Sequence, residues 1–165
     1  MKKIKYLLLV VIGLFLLTGC INGNSQTFSV RNTTWYGRDK SEMIFGNQGT
    51  FEWYLSETDH SKNYYKGTYK LYVGKNAYNH ITMDISEYGV TADELDGLIA
   101  RNAQYSLDKL VVFDIHYDAF NYNGIDQIIK ERETSWYGMI LGDGTYLDLA
   151  DMKNASTKGF TKKSI

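Results

Sequence analysis

The chain has 165 residues, with 18 Lys+Arg against 19 Asp+Glu and a formal net charge of −1. This balance argues against nucleic acid or an anionic bilayer surface as the main partner, because both require a cationic face. One cysteine cannot form an intrachain disulfide, whereas 14 Tyr, 7 Phe and 3 Trp can fill a core, so we expect one domain stabilised by apolar burial.

The first 19 residues have the pattern of a secretory signal peptide. Three lysines within the first five residues give a cationic start, and residues 6–18 form an almost uncharged apolar run. A small residue, Gly19, then precedes the only cysteine, Cys20. This order predicts a leader that is cleaved. A permanent transmembrane helix is disfavoured, because spanning a bilayer takes about 20 apolar residues.

The tetrapeptide Leu17-Thr18-Gly19-Cys20 resembles the lipobox of bacterial lipoproteins. The resemblance implies that the Cys20 thiol is diacylglycerylated and that Cys20 becomes the first residue of the mature chain. We therefore expect a lipid-anchored protein on the extracytoplasmic face of the cell membrane, with an ordinary secreted protein as the alternative. Removal of the three leader lysines leaves 15 Lys+Arg against 19 Asp+Glu, a net charge of −4.

The mature chain divides into a short tether and one domain. Residues 21–27 (INGNSQT) are small and polar, so residues 20–28 are predicted to be the lipidated cysteine and a flexible tether. An ordered first loop is the alternative. Residues 29–165 are predicted to form a single β-rich domain.

The first half of this domain mostly alternates apolar and polar residues, which is the period of β-strands. Phe51, Trp53 and Leu55 share one predicted face, and Gly67 suggests a bend or bulge inside the longest strand. In the last strand of this half, the apolar residues Ile81, Met83 and Ile85 are expected to point inward. The predicted strands are residues 34–37, 43–45, 50–55, 64–73 and 80–85, with a turn at 46–49.

One helix is predicted near residues 92–102. Thr91 and Glu94 have the spacing of a capping box, in which each side chain satisfies a main-chain N–H of the other residue. An apolar stripe with helical spacing follows. Its residues are Leu95, Leu98, Ile99 and Tyr105.

The second half returns to strands. Residues 110–120 alternate again, and residues 136–141 and 145–149 flank the turn Gly142-Asp143-Gly144, which is typical of a hairpin. Residues 125–129 fit either a short helix or a distorted strand. Residues 157–161 are predicted to be a last edge strand.

About eight short strands and one helix indicate a mainly β fold, a small antiparallel β-barrel or sandwich. The strand pattern over residues 34–161, with a tryptophan near the first strand, resembles lipocalin-like barrels. The resemblance implies that a small apolar or amphipathic molecule binds inside the barrel. No cofactor is expected.

The only candidate catalytic or metal-binding group lies on one predicted strand. Asp114, His116 and Asp118 alternate and would share one face, where they could act in a hydrolase or bind a divalent metal. The two outer carboxylates would be about 13 Å apart in a straight strand. We therefore expect a solvated strand face, with no catalytic residue and no metal site.

The aromatic residues of two neighbouring strands provide the other candidate site. Only one face of each strand can point inward, so the inward set is either Trp53, Tyr65 and Tyr69 or the opposite set of Tyr54, Tyr64 and Tyr72. We predict the first set, because its faces also carry Phe51, Leu55, Leu71 and Val73, and it forms either the wall of a ligand site or solid core. A ligand site would make this a non-enzymatic, ligand-binding surface protein. A solid core would favour the alternative function, a protein-interaction or accessory lipoprotein of an envelope complex with a filled barrel.

Overall fold

A computed structural model describes residues 28–84, 88–130, 132–151 and 156–163. The predicted signal peptide, the lipidation site at Cys20 and the tether at residues 21–27 lie outside these described residues, as does Ile85. Within the described part, no helix is both long and apolar enough to cross a membrane.

The chain forms a closed antiparallel barrel of eight strands, which confirms the predicted fold class. The strands β4-β3-β2-β1-β9-β8-β7-β5 lie side by side in this order, and β5 pairs with β4 to close the barrel. The short strand β6 pairs only with the end of β5. The bounds are β1 Thr33–Gly37, β2 Glu42–Phe45, β3 Thr50–Tyr54, β4 Tyr64–Val73, β5 Leu110–Tyr122, β6 Ile125–Gln127, β7 Glu133–Leu141, β8 Tyr146–Asp151 and β9 Ser156–Lys162.

The inward faces of all eight barrel strands contribute to one buried cluster. Alternate residues of each strand point inward, as the pleat dictates. The three tryptophans are 0–8% exposed, and four phenylalanines are buried in the same cluster. The buried aromatic members of the cluster are Trp35, Phe45, Phe51, Trp53, Tyr69, Phe113, Trp136 and Phe160.

Two helices and a second apolar cluster lie on the outside of the barrel. Helix α1, Lys75–Met83, and helix α2, Ala92–Arg101, follow β4 in the chain. A 3-10 turn, Leu107–Lys109, leads from α2 into β5. The helices bury apolar residues against the outward face of β5 and β7, so the stretch of these strands around Leu110, Val112 and Met139 is covered on both sides. The cluster includes Ala77, Ile81, Tyr88, Leu95, Leu110, Val112 and Met139.

The predicted helix near residues 92–102 is confirmed, with its capping box. The Thr91 side chain accepts a hydrogen bond from the Glu94 main-chain N–H, and the Glu94 carboxylate accepts one from the Thr91 N–H. Of the predicted apolar stripe, Leu95 is buried, whereas Leu98 is 42% exposed. The face of α2 that is buried is therefore narrower than the predicted apolar stripe.

The predicted strand at residues 80–85 is wrong, because residues 80–83 belong to α1. The helix buries Ala77 and Ile81, which are one turn apart, and leaves Met83 86% exposed. The alternation of Ile81 and Met83 suggested a strand. The buried residues are instead Ala77 and Ile81, whose spacing of four residues is that of one helix face.

Three smaller expectations also change. β9 is not an edge strand, because it pairs with both β8 and β1. Leu55 lies just beyond β3 and is 38% exposed, so it does not extend the buried face of Phe51 and Trp53. Over residues 125–127 the strand alternative is right, but Ile128 is 92% exposed and outside any strand.

Candidate functional site

The structure places Trp53, Tyr65 and Tyr69 on the inward face of the barrel but divides them between two aromatic groups. Trp53 and Tyr65 stack, with ring centroids 5.3 Å apart, and Trp136 meets Trp53 edge-on at 5.2 Å. Tyr69 instead contacts Phe45 at 4.9 Å. The cause is the four-residue spacing of Tyr65 and Tyr69 along β4, which separates them by roughly 13 Å.

The interior around Trp53 is occupied by other aromatic side chains. Tyr65 also stacks on Phe120 at 4.3 Å and contacts Tyr117 at 5.3 Å. Burial raises the pKa of the Tyr117 phenol well above its usual value, and the nearby Asp151 carboxylate adds to the effect. Burial likewise raises the pKa of Tyr65. These two phenols, which are partly buried against the core, are therefore partly shielded from water.

Three polar atoms inside the barrel lack a hydrogen-bond partner within the described residues. They are the indole Nε1 atoms of Trp53 and Trp136 and the hydroxyl of Tyr69. Buried donors of this kind are usually paired. They give the predicted wall hydrogen-bonding capacity in addition to its apolar packing.

A charged pair lies next to the Trp53 ring. The Lys158 ammonium is 4.8 Å from the ring centroid of Trp53, in a cation–π contact. The same ammonium donates to the Asp39 carboxylate at 2.7 Å. The pair joins β9 to the loop after β1 beside the tryptophan.

The outward face of β4, β5 and β7 carries a polar groove of about 500 Å³. The strand register aligns Thr68, His116 and Glu133 in one row and Lys70, Asp114 and Ser135 in the next. The first row contains a contact between His116 Nδ1 and the Glu133 carboxylate.

Asp114 is the centre of the second row. Its carboxylate lies 3.0 Å from His80 Nε2 of α1 and accepts hydrogen bonds from Ser135 at 2.9 Å and Tyr88 at 3.2 Å. His80 in turn stacks on Tyr72, with centroids 4.0 Å apart. Asp114 thus ties the first helix and the Tyr88 segment to the barrel wall.

This arrangement differs from the predicted trio of Asp114, His116 and Asp118. His116 Nε2 is 3.5 Å from Asp118, whereas Asp114 pairs with His80. Among the described residues, no three His, Cys, Asp or Glu side chains are placed to hold a metal ion. Sequence reasoning missed His80 here, because α1 was not predicted.

A second groove, of about 850 Å³, opens at the end of the barrel where the described chain begins. Phe28 and Val30 form one side of it and the β2–β3 turn another. The C-terminal half of β4 forms its remaining wall, with Leu71 and Val73 half-buried. Of the predicted aromatic site residues Trp53, Tyr65 and Tyr69, which all lie in the described part of the chain, Tyr69 lines this groove.

Comparisons with known proteins give no match: no family model, no curated protein and no solved structure is significantly similar to this chain.

Proposed function

We propose that this chain is a non-enzymatic, lipid-anchored protein of the extracytoplasmic face of the cell membrane, and that its filled barrel is a scaffold for binding another envelope protein. The packed interior carries the proposal. The Trp53 ring packs against both Tyr65 and Trp136. Side chains therefore fill this part of the barrel interior, as in a hydrophobic core.

The proposed anchor rests on the N-terminal sequence. A basic start, an apolar run and Leu17-Thr18-Gly19-Cys20 precede the domain. Covalent geometry limits the distance from Cys20 to Phe28, eight residues later, to roughly 26–29 Å. A lipid on Cys20 would therefore keep the barrel end that contains Phe28 close to the membrane, and partners in or on the membrane would be within reach.

The orphaned polar atoms favour a second candidate function. The Nε1 atoms of Trp53 and Trp136 and the Tyr69 hydroxyl could donate hydrogen bonds to a small amphipathic ligand inside the barrel. Such a ligand would have to displace aromatic side chains from their present contacts.

Cys20→Ala tests the anchor, with Ser25→Ala as a control substitution in the predicted tether. Wild type and Ser25→Ala should fractionate with membranes and yield an acylated N-terminal peptide by mass spectrometry. Cys20→Ala should be unprocessed or released, because the thiol that accepts the lipid is gone. Unchanged processing and membrane retention would refute the lipoprotein assignment.

Cross-linking in intact cells separates the two functions. A scaffold should yield a specific cross-linked envelope protein with wild type. A ligand-binding barrel should instead yield a small molecule when the purified protein is extracted with organic solvent and analysed by mass spectrometry. A bound small molecule without any protein partner would overturn the first proposal in favour of the second.

A further inference from the structure

β4 extends well beyond its neighbour β3 at one end of the barrel. The pairing of β3 with β4 ends at Thr50 and Thr68, and the last main-chain bond between them runs from the Tyr69 N–H to the Gly49 carbonyl at 2.7 Å. On its other side β4 stays paired with β5 as far as Val73. Within the part of the chain that the structure describes, the last four residues of β4 therefore have a strand neighbour on one side only.

The direction of the main-chain groups along this stretch follows from two hydrogen bonds. The Tyr69 N–H points away from β5, whereas the Gly74 N–H donates to Leu110 at the start of β5. Main-chain groups alternate in direction along a strand. The N–H and C=O groups of Leu71 and Val73 therefore point away from β5, into the groove of about 850 Å³.

The chemistry of the groove restricts what could pair with this edge. The Leu71 and Val73 side chains are half-buried and, with Phe28, provide an apolar side. The charged side chains that line the groove are Arg31 and Lys70, both cationic and both exposed. An occupant should therefore be extended, apolar at alternate positions and acidic at the positions between.

We propose that this edge of β4 binds an extended acidic segment of a partner protein by strand addition. The segment pairs its main chain with Leu71 and Val73 and places carboxylates near Arg31 and Lys70. Main-chain bonds supply affinity in such complexes, and alternate side chains supply specificity. The inference rests on the proposed scaffold function and assigns it a site and a class of partner.

Amide hydrogen exchange of the acylated protein in lipid nanodiscs tests the site directly. The probes are two end-blocked hexapeptides, Val-Glu-Val-Glu-Val-Glu and Val-Lys-Val-Lys-Val-Lys. The Leu71 and Val73 amides should exchange fast in the free protein and slow with the acidic peptide only, while the Tyr69 amide is protected throughout. Protection of Leu71 and Val73 without peptide would show an occupied edge, such as one covered by the chain itself, and would overturn the proposal. Equal protection by both peptides would also overturn it.

Charge reversal provides the matched variants. Lys70→Glu should weaken binding of the acidic peptide about tenfold and reduce its salt dependence, because a charge at the rim of the site is reversed. Lys62→Glu, an exposed lysine of the loop between β3 and β4, should leave the affinity unchanged. Equal effects of the two variants would indicate attraction by overall charge and contradict a defined site.

The outcome for the site is separable from the outcome for the function. If cells yield a cross-linked partner whose recovery is the same for wild type and Lys70→Glu, the assigned site is wrong and the scaffold function stands. If the acidic peptide protects the edge but cells yield no partner, the site stands and the scaffold function is wrong.

Discussion

A Cβ atom on Gly67 of β4 would lie 1.9 Å from the main-chain carbonyl oxygen of His116 in β5. The two strands come this close where their register shifts, between Lys66 and Gly67. Asp118 is the extra residue of this bulge, since its neighbours Tyr117 and Ala119 pair with consecutive residues of β4. The bend expected at Gly67 is thus a close contact between the two longest strands of the barrel.

Gly67→Ala should therefore destabilise the protein. The added methyl group meets main chain, which cannot rotate away, so we expect a loss of about 1–3 kcal/mol in the free energy of unfolding. Urea denaturation measures it. Gly97→Ala is the control: Gly97 lies in α2 with nothing within 4 Å of its Cβ position, so alanine should stabilise by about 0.5–1 kcal/mol. Equal effects of the two variants would contradict the close approach at Gly67.

Trp53→Ala tests whether the barrel interior is a packed hydrophobic core or a ligand site. If the ring is core, its removal should cost about 3–5 kcal/mol in the free energy of unfolding. Tyr122→Ala is the control, because that ring is 54% exposed, and its effect should stay within about 0.5 kcal/mol. A loss at Trp53 no larger than that at Tyr122 would favour a ligand site over a filled core.

Thr91→Ala should destabilise α2 by about 1 kcal/mol, because the Glu94 N–H loses its acceptor. Ser106 offers a matched control. It precedes the 3-10 turn Leu107–Lys109 without any side-chain capping bond. Ser106→Ala should therefore change the unfolding midpoint much less than Thr91→Ala. A larger change for Ser106→Ala than for Thr91→Ala would show that the capping box does not stabilise the protein.

The partly buried phenol of Tyr117 predicts that the protein loses stability in alkali. In the unfolded chain it titrates near 10.0, whereas burial raises the pKa in the folded protein. The unfolded state therefore loses the proton first, and stability that is intact below pH 10 is lost as the pH rises above it.

Tyr117→Phe removes this titration, so its free energy of unfolding should fall less than that of wild type above pH 10. The exposed Tyr122 is the control, and Tyr122→Phe should follow wild type. The comparison is made by urea denaturation at a series of alkaline pH values. Parallel curves for wild type and Tyr117→Phe would contradict the burial effect.

The strands were predictable from the sequence because most of them alternate strongly. β4 has the predicted bounds, Tyr64–Val73, since its two lysines mark the outward face and Tyr65, Tyr69 and Leu71 alternate with them on the inward face. Helix α2 was equally predictable, because the capping box of Thr91 and Glu94 marks its beginning. Both patterns are local, so a single sequence contains them.

Helix α1 was not predictable in the same way. Gly74 precedes it with no side-chain cap, and its first turn has no acidic residue. Without α1, the contact of His80 with Asp114 could not be foreseen, since it joins a helix to the outside of a barrel. The division of the predicted wall into a Trp53 group and a Tyr69 group likewise depends on the tertiary packing of Trp136, Phe45 and Phe113.

The pairing of β9 with β1 has a consequence for how the protein folds. Trp35 is opposite Lys162 in this ladder, so closure joins residues far apart in the sequence. Contacts of such long range slow folding, because the loop must close before they contribute. Until β9 has been synthesised and docked, β1 and β8 present open edges that can pair with other chains. The nascent barrel is therefore most exposed to aggregation just before its last strand arrives, and substitutions that weaken β9 should lower the yield of folded protein more than its equilibrium stability.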